Sequence, residues 1–322
     1  MKVCVVIPAY NAAGYIVEAL DSVAGQGAPP DQVVVVDDGS RDDTARVVRG
    51  WIAAHPACDT LLVEQANGGI PVARNAGIRA GGGDWIALLD ADDVWEPGHL
   101  AALRAALAAA PDAVAAYGAG RLLVDGAVQP RLYDDFWDNP SRRHGRPIDG
   151  TDCLRIDGAA LSRLIHGNFI KPSSLCFSRA AALAVGLFDE GLRVSEDREF
   201  LIRLLLSGDF VYTPTPITRY RWHDDNASSH KNSRRNMEYA LRALHRIGHH
   251  SGAFDPRQRS AFHHETRVAI RDYLYTCARD GWRPYADGLR LVGALYGAPR
   301  MLWGFNPKHL AHCLQYGRLG KV

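Results

Sequence analysis

The sequence predicts an α/β fold: a mostly parallel sheet flanked by helices, followed by a C-terminal helical extension. Three observations carry that prediction. Four apolar runs in the first 90 residues are continuous rather than alternating, as strands buried on both faces are. Stretches of helix length separate them. Three of the four runs end in polar or acidic clusters, the place where open α/β sheets bind ligands.

In order, Val3–Ile7 is the first strand and a helix follows over about 14–26. Gln32–Asp37 is the second strand; it ends in Asp38-Gly39-Ser40, and a helix runs over about 42–54. Thr60–Glu64 precedes a helix over about 70–80. Trp85–Leu89 leads into Asp90-Ala91-Asp92-Asp93, and Pro97 opens an Ala/Leu-rich helix reaching about 110. Residues 125–170 lack a clear period and read as a long loop or small insertion. Beyond them come a strand over 173–178, a short helix near Ala180, a helix over 196–207, and strands near 210–213 and 218–222. After Asn232 the pattern is mainly helical, with segments near 234–249, 256–279, 284–297 and 306–316.

The chain has 322 residues, 47% hydrophobic and 23% charged, which excludes wholesale disorder and suits one large domain with an appendage. The net charge of +1 hides an asymmetry. Residues 1–229 carry 21 Lys and Arg against 30 Asp and Glu, a net of −9, whereas 230–322 carry 16 against 6, a net of +10. The charge divides an acidic body over about 1–230 from a basic extension over 231–322. Six dispersed cysteines form no C-x-x-C pair and read as reduced thiols. The opening apolar run is too short for a signal peptide and no stretch spans a bilayer, so the expected location is cytoplasmic.

Three clusters carry chemistry. In Asp90-Ala91-Asp92-Asp93, alternate residues of an extended segment share a face, so Asp90 and Asp92 can point into one crevice. Crowded carboxylates repel unless a cation such as Mg²⁺ or Mn²⁺ compensates; the alternative is a solvated acidic turn with Asp93 capping the next helix. In Asp37-Asp38-Gly39-Ser40, capping explains Ser40 and Asp42, but not Asp37 at the last strand position. In Asn67-Gly68-Gly69, the glycines let backbone approach a ligand at a helix start, and Arg74 either reaches a phosphate or base edge or lies on a solvated face.

In this order the pieces resemble the family 2 glycosyltransferases of the GT-A fold. The resemblance runs through Val5-Val-Ile-Pro-Ala-Tyr-Asn11, Asp37-Asp-Gly-Ser40, Asn67-x-Gly69, Ala73-Arg-Asn-x-Gly77 and Asp90-Ala-Asp92-Asp93. It continues with Gly186-Leu-Phe-Asp-Glu190 and Ser195-Glu-Asp197, followed by Phe200 and Arg203, and covers about residues 3–230. It implies inverting transfer of a sugar from a nucleotide-sugar donor, usually with Mg²⁺ or Mn²⁺. It further implies a nucleotide-sugar-binding half over 1–120 and an acceptor-side half over 121–230. By position, Pro8 and Tyr10 line the nucleoside pocket, Asp37 reads the base, usually uracil, and Arg74 lies near base and phosphates. Asn67 and Ala91 join the nucleotide-sugar site, Asp90 lies near the ribose, and Asp92 holds the metal. Asp197 matches the carboxylate that serves as general base, an assignment consistent with inversion, which needs one carboxylate to deprotonate the acceptor hydroxyl. Without the resemblance, Glu196-Asp197 reads as helix N-terminal charge. Tyr220-x-x-His223-x-x-Asn226-x-Ser228 resembles the end of the catalytic region, where His223 completes the metal shell, donates to the diphosphate, or is a plain surface residue.

A different class stays open: a nucleotide-sugar-binding regulatory or partner protein without transfer activity. Intact Asp90, Asp92 and Asp197 argue against it. In the extension, Lys231, Arg234, Arg235, Arg242, Arg246, Arg267, Arg271, Arg290 and Arg300 are interleaved with Tyr296, Trp303 and Phe305. That pattern suits either contact with an anionic inner-membrane surface, near a saccharide or lipid-linked acceptor, or packing on the acidic body. No nucleic-acid module is visible, and nucleic acid is not an expected partner.

Overall fold

The structure, a computed structural model, describes residues 1–223, 233–301, 303 and 309. Asn226, Ser228, Lys231, Phe305, Cys313 and the helix expected over 306–316 lie outside those residues. The chain divides into two compact units, Met1–Asp224 and Asp225–Val322.

The strands of the first unit are β1 (Val3–Ala9), β2 (Gln32–Asp37), β3 (Thr60–Glu64), β4 (Trp85–Leu88), β5 (Val94–Trp95), β6 (Ala115–Val124), β7 (Ala127–Leu132), β8 (Arg146–Pro147), β9 (Leu154–Ile156), β10 (Leu175–Ser178) and β11 (Phe210–Trp222). Its helices are α1 (Ile16–Ala24), α2 (Thr44–Ala54), α3 (Ile70–Ala80), α4 (His99–Ala109), α5 (Pro140–His144), α6 (Leu161–His166), α7 (Arg179–Ala184) and α8 (Glu196–Ser207). The strands form one sheet in the order β3-β2-β1-β4-β10-β6-β11-β9-β8, with β5 on β11 and β7 on β6. The first four strands of that order are parallel. β10 then runs antiparallel to both β4 and β6, and β6 and β11 are parallel again. The sheet is therefore mixed, with its parallel part where the continuous apolar runs predict it. Every residue of β1 is buried, and Ile7, Ile16, Leu20, Val35 and Leu103 belong to the core on one face.

Two differences from the sequence reading have physical causes. β6 was not expected, because Ala115-Ala-Tyr-Gly-Ala-Gly120 is poor in β-branched residues. Its small residues admit a close neighbour: a Cβ on Gly118 would stand 2.5 Å from Ile217 Cδ1 on β11. The two strands expected over 210–222 are one. Pro214 and Pro216 break the period, and the register to β6 shifts between Thr213 and Thr218 without ending the strand. The unpatterned 125–170 region contains β7, which pairs with β6, the β8–β9 pair and short helices.

Two residues of the motifs outside the acidic clusters, Asn75 and Arg203, hold the scaffold. Asn75 on α3 donates to Phe188 O and accepts from Phe188 N, both at 2.9 Å, which fixes the 186–190 turn against the helix. Arg203 on α8 pairs with Glu199 at 2.6 Å and donates to Leu187 O at 2.6 Å.

The second unit comprises α9 (Ser233–Gly248), α10 (Pro256–Arg279), α11 (Trp282–Tyr296) and α12 (Ala298–Met301), near the expected helical segments. Its core gathers Leu241, Ile270, Leu274, Tyr285 and Val292. Asp255 and Gln258 close a capping box at the start of α10. Of the basic residues singled out above, Arg267 and Arg300 stack on Trp303 at 5.3 and 5.5 Å. Among the described residues no helix is long and apolar enough to cross a membrane.

Candidate active site

The loops after β1, β2 and β3 are tied together by backbone and short side chains. Pro8 is buried in β1, beyond the last pair of the β4 ladder, Val6 with Leu88, where a missing N–H is tolerated. Tyr10 follows at the strand end, 47% exposed. Asp37 lies opposite Ala9 in register and is buried; its Oδ1 accepts from Ser40 N at 3.1 Å and from the Ser40 hydroxyl. Among the described residues nothing donates to its Oδ2, so one oxygen stays available to a ligand. The sequence suggests Ser40 and Asp42 as caps of α2, but the N-cap position is Asp43, Ser40 does not reach the helix, and Asp42 meets only its first N–H. Ser40 accepts from Asn11 N and Asp42 from Ala13 N and Thr44 N, which laces the loop after β1 to the loop after β2.

Asp38, unnoticed in the sequence beside Asp37, organises the third loop. Its carboxylate accepts from Gln65 Nε2 at 2.7 Å, Gly68 N at 2.9 Å and Gly69 N at 2.7 Å. Asn67 turns its amide onto Asp38 O at 3.0 Å, so it holds the loop from the other side. Gly39, at φ +73, is required here twice over: a Cβ would stand 2.8 Å from Asn67 N.

The acidic turn after β4 is not a solvated one. Asp93 is buried, accepting from Ser173 Oγ at 2.5 Å and Arg221 N at 2.8 Å, and does not cap α4. Ser173 Oγ also accepts from Asp90 N at 3.0 Å. Ala91 is buried between them. Burial, then the Asp92 and Asp90 charges, hold the Asp93 carboxyl well above the usual range. Asp92 is raised as well, by burial first and Asp90 second. Its Oδ2 meets His223 Nε2 at 2.9 Å, and the His223 ring stacks on Tyr15 at 5.4 Å. Arg221 donates to Asp92 O at 2.8 Å and to Glu18, which ties α1 to this turn.

Arg74 is 2% exposed, not on a solvated face. One terminal nitrogen donates to Asp90 Oδ1 and the other to Glu196 Oε1, both at 2.8 Å. Burial works against its charge, but these two carboxylates hold its pKa above the ordinary arginine value. Glu196 is pushed up to about 7 by burial and then by Asp197, with Arg74 opposing. Asp197 follows in the first turn of α8, behind Ser195 at φ +64, a strained conformation for serine. Its Oδ2 accepts from Asn168 Nδ2 at 2.6 Å and its Oδ1 from Arg198 N at 2.7 Å. Nothing in the sequence marks Asn168 or Ser173, because their partners lie 29 to 83 residues away.

Asp92 and His223 fit a divalent cation in part. Among the described residues no group of three or more His, Cys, Asp or Glu can hold a metal ion. Two facing protein ligands suit a Mg²⁺- or Mn²⁺-type ion, which uses few side chains and completes its shell with phosphate oxygens and water. They do not suit an all-protein cage. The raised Asp92 carboxyl, crowded by Asp90, is the charge such an ion would relieve.

Residues 4–161 match the family model described as Glycosyl transferase family 2. Over those residues the chain is similar to glycosyltransferase family 2, and its first unit carries the GT-A fold. It is 25% identical over 222 residues to an uncharacterized glycosyltransferase of Rickettsia typhi, covering 69% of this chain and 64% of that one. Over 212 residues it is 31% identical to the succinoglycan biosynthesis protein ExoO of Rhizobium meliloti, covering 63% and 55%. A chondroitin synthase of Escherichia coli is 40% identical over 95 residues, 30% of this chain and 14% of that one. The chain thus spans less than two thirds of the length of these curated relatives. Among solved structures, Staphylococcus aureus TarS 1–349 in complex with UDP-GlcNAc superposes with a TM-score of 0.64 at 17% identity, over 99% of this chain and 90% of that one. A mannosyltransferase from Pyrobaculum calidifontis in complex with GDP-Man and Mn²⁺ gives 0.61 at 22%, over 100% and 88%.

Proposed function

We propose that the chain transfers a sugar, with inversion, from a UDP-sugar to an acceptor hydroxyl in cell-surface polysaccharide or glycoconjugate synthesis. The observation that carries this reading is the buried Asp90–Arg74–Glu196 bridge, because it couples the D-x-D turn to the residue beside Asp197. The UDP-GlcNAc and GDP-Man·Mn²⁺ complexes of the structural neighbours support the donor class. The succinoglycan protein and chondroitin synthase support a role in polysaccharide synthesis.

In this reading Asp37 Oδ2 accepts from the base, and Pro8 and Tyr10 border the nucleoside. Asn67 and Asp38 shape the loop that the donor approaches. Arg74 acts through Asp90, orienting it at the ribose. Asp92 and His223 would hold the cation, whose chemistry is to neutralise charge on the departing diphosphate. Asp197 takes the proton of the acceptor hydroxyl as its oxygen bonds to the sugar C1 and the C1–diphosphate bond breaks on the opposite face. Asn168 keeps Asp197 turned to that hydroxyl.

A calorimetric panel of UDP-, GDP- and dTDP-sugars with Mn²⁺ on wild type and Asp197→Asn tests this. UDP-sugars should bind both proteins alike, and Asp197→Asn should lose transfer by about 10³-fold or more. Unchanged turnover in that variant would end the base assignment. Binding without turnover by the wild type would favour a nucleotide-sugar-binding partner.

A further inference from the structure

The transfer reaction outlined above leaves one half-buried cation unused. Lys171 Nζ lies 4.3 Å from the ring centroid of Tyr133 and 4.0 Å from that of Tyr220. The two rings face each other at 5.9 Å with a 52° tilt, so the ammonium is caged by π faces. Tyr133 also accepts a hydrogen bond from the ammonium, but among the described residues no carboxylate oxygen comes within the 4.0 Å of an ion pair with it. Burial alone would lower its pKa, yet Tyr220, Tyr133 and Asp197 together hold it above the ordinary lysine value. The ammonium therefore stays charged, in the field of Asp197.

The segment carrying Lys171 is pinned at both ends. Three residues before it, Asn168 bonds Asp197; two residues after it, Ser173 bonds Asp90 and Asp93. The tyrosine faces and the Tyr133 hydrogen bond offset part of the cost of removing this cation from water, and a ligand of opposite charge would offset the rest. Two anions can enter such a site, the donor diphosphate and an acidic acceptor. The diphosphate belongs with Asp92 and His223, whereas the segment carrying Lys171 is bonded through Asn168 to Asp197, where the reacting hydroxyl lies in the proposed reading.

We propose that Lys171 selects the acceptor by binding the carboxylate of a uronic-acid-type sugar whose hydroxyl faces Asp197. The inference rests on the transferase reading given above. A single carboxylate balances the one ammonium charge; a phosphate dianion would leave an excess facing Asp197.

The test is titration of the protein loaded with UDP and Mn²⁺ by 4-nitrophenyl β-D-glucuronide and by 4-nitrophenyl β-D-glucoside. Wild type should bind the glucuronide about tenfold more tightly than the glucoside. Lys171→Met keeps an unbranched chain between the rings; it should remove that preference while leaving UDP affinity within about twofold. Lys171→Arg should retain part of it. Equal or undetectable binding of the two glycosides by wild type overturns the proposal. So does a preference that survives in Lys171→Met, including the case where UDP binding alone weakens, which assigns the lysine to the diphosphate. A wild type that binds no UDP overturns the transferase reading along with this one. UDP binding without a glucuronide preference overturns this one alone.

Discussion

The two sides of the crevice are built differently. The side assigned to the donor in the proposed reading is made of three neighbouring loops that hold one another with main-chain N–H groups and short side chains. Asp38 gathers the loop after β3, and Asn11, Ser40 and Asp42 lace the first two loops. The side around Asp197 depends on single long-range side-chain contacts: Asn168 to Asp197, Arg74 to Glu196, Ser173 to Asp93. A meshed set of loops tolerates the loss of one bond better than a lone contact does. Damage on the donor side should therefore appear as weaker binding, and damage around Asp197 as slower chemistry.

Asn168→Ala probes the contrast most sharply. It should lower kcat by about 10–100-fold, since the proposed base loses the group that orients it, with donor Kd unchanged. A variant that instead weakens donor binding would erase the distinction. On the donor side, Asp38→Ala leaves three donors without their carboxylate. It should weaken UDP binding by about tenfold and cost about 2 kcal/mol of stability, read by calorimetry and urea unfolding, with the Asp197 chemistry intact. The smallest effect concerns a residue outside the crevice. His99 is buried beneath Trp95, at 3.8 Å between ring centroids, and its Nδ1–H donates to Ile217 O at 2.8 Å. Burial pushes its pKa down to about 3. The unfolded chain takes up a proton below the ordinary value of 6.5 while the folded ring stays neutral. The stability contributed above 6.5 is therefore lost progressively as pH falls towards 3. Between pH 7.5 and 4.5, wild type should lose about 2 kcal/mol more than His99→Gln, with no change in UDP affinity.

Legibility in the sequence follows the same division. The donor side could be read because strand, turn and helix are adjacent in the chain: Gln32–Asp37, Thr60–Glu64 and the helix over 70–80 keep the expected bounds. Asp92 and His223 were legible as a pair only through the family resemblance, and they do meet. Asp38 was hidden by Asp37, since two adjacent aspartates after a strand give no sign of which turns inward. Asn168, Lys171 and Ser173 were hidden because their meaning lies in partners on other strands and helices. Arg74 was legible as a site residue but not as a buried one, because its two carboxylates come from β4's end and from α8. β6, built of alanine and glycine, has no β signal of its own and exists because β10 and β11 flank it.

The pinned segment from Asn168 to Ser173 also limits how this chain can be recombined with its relatives. A chimera that joins partner sequence at Gly167 keeps the Asp197 and Asp93 supports in one piece, and the irregular region upstream becomes an exchangeable cassette. A junction placed a few residues later would separate the two supports into different parents and misalign both halves of the crevice at once.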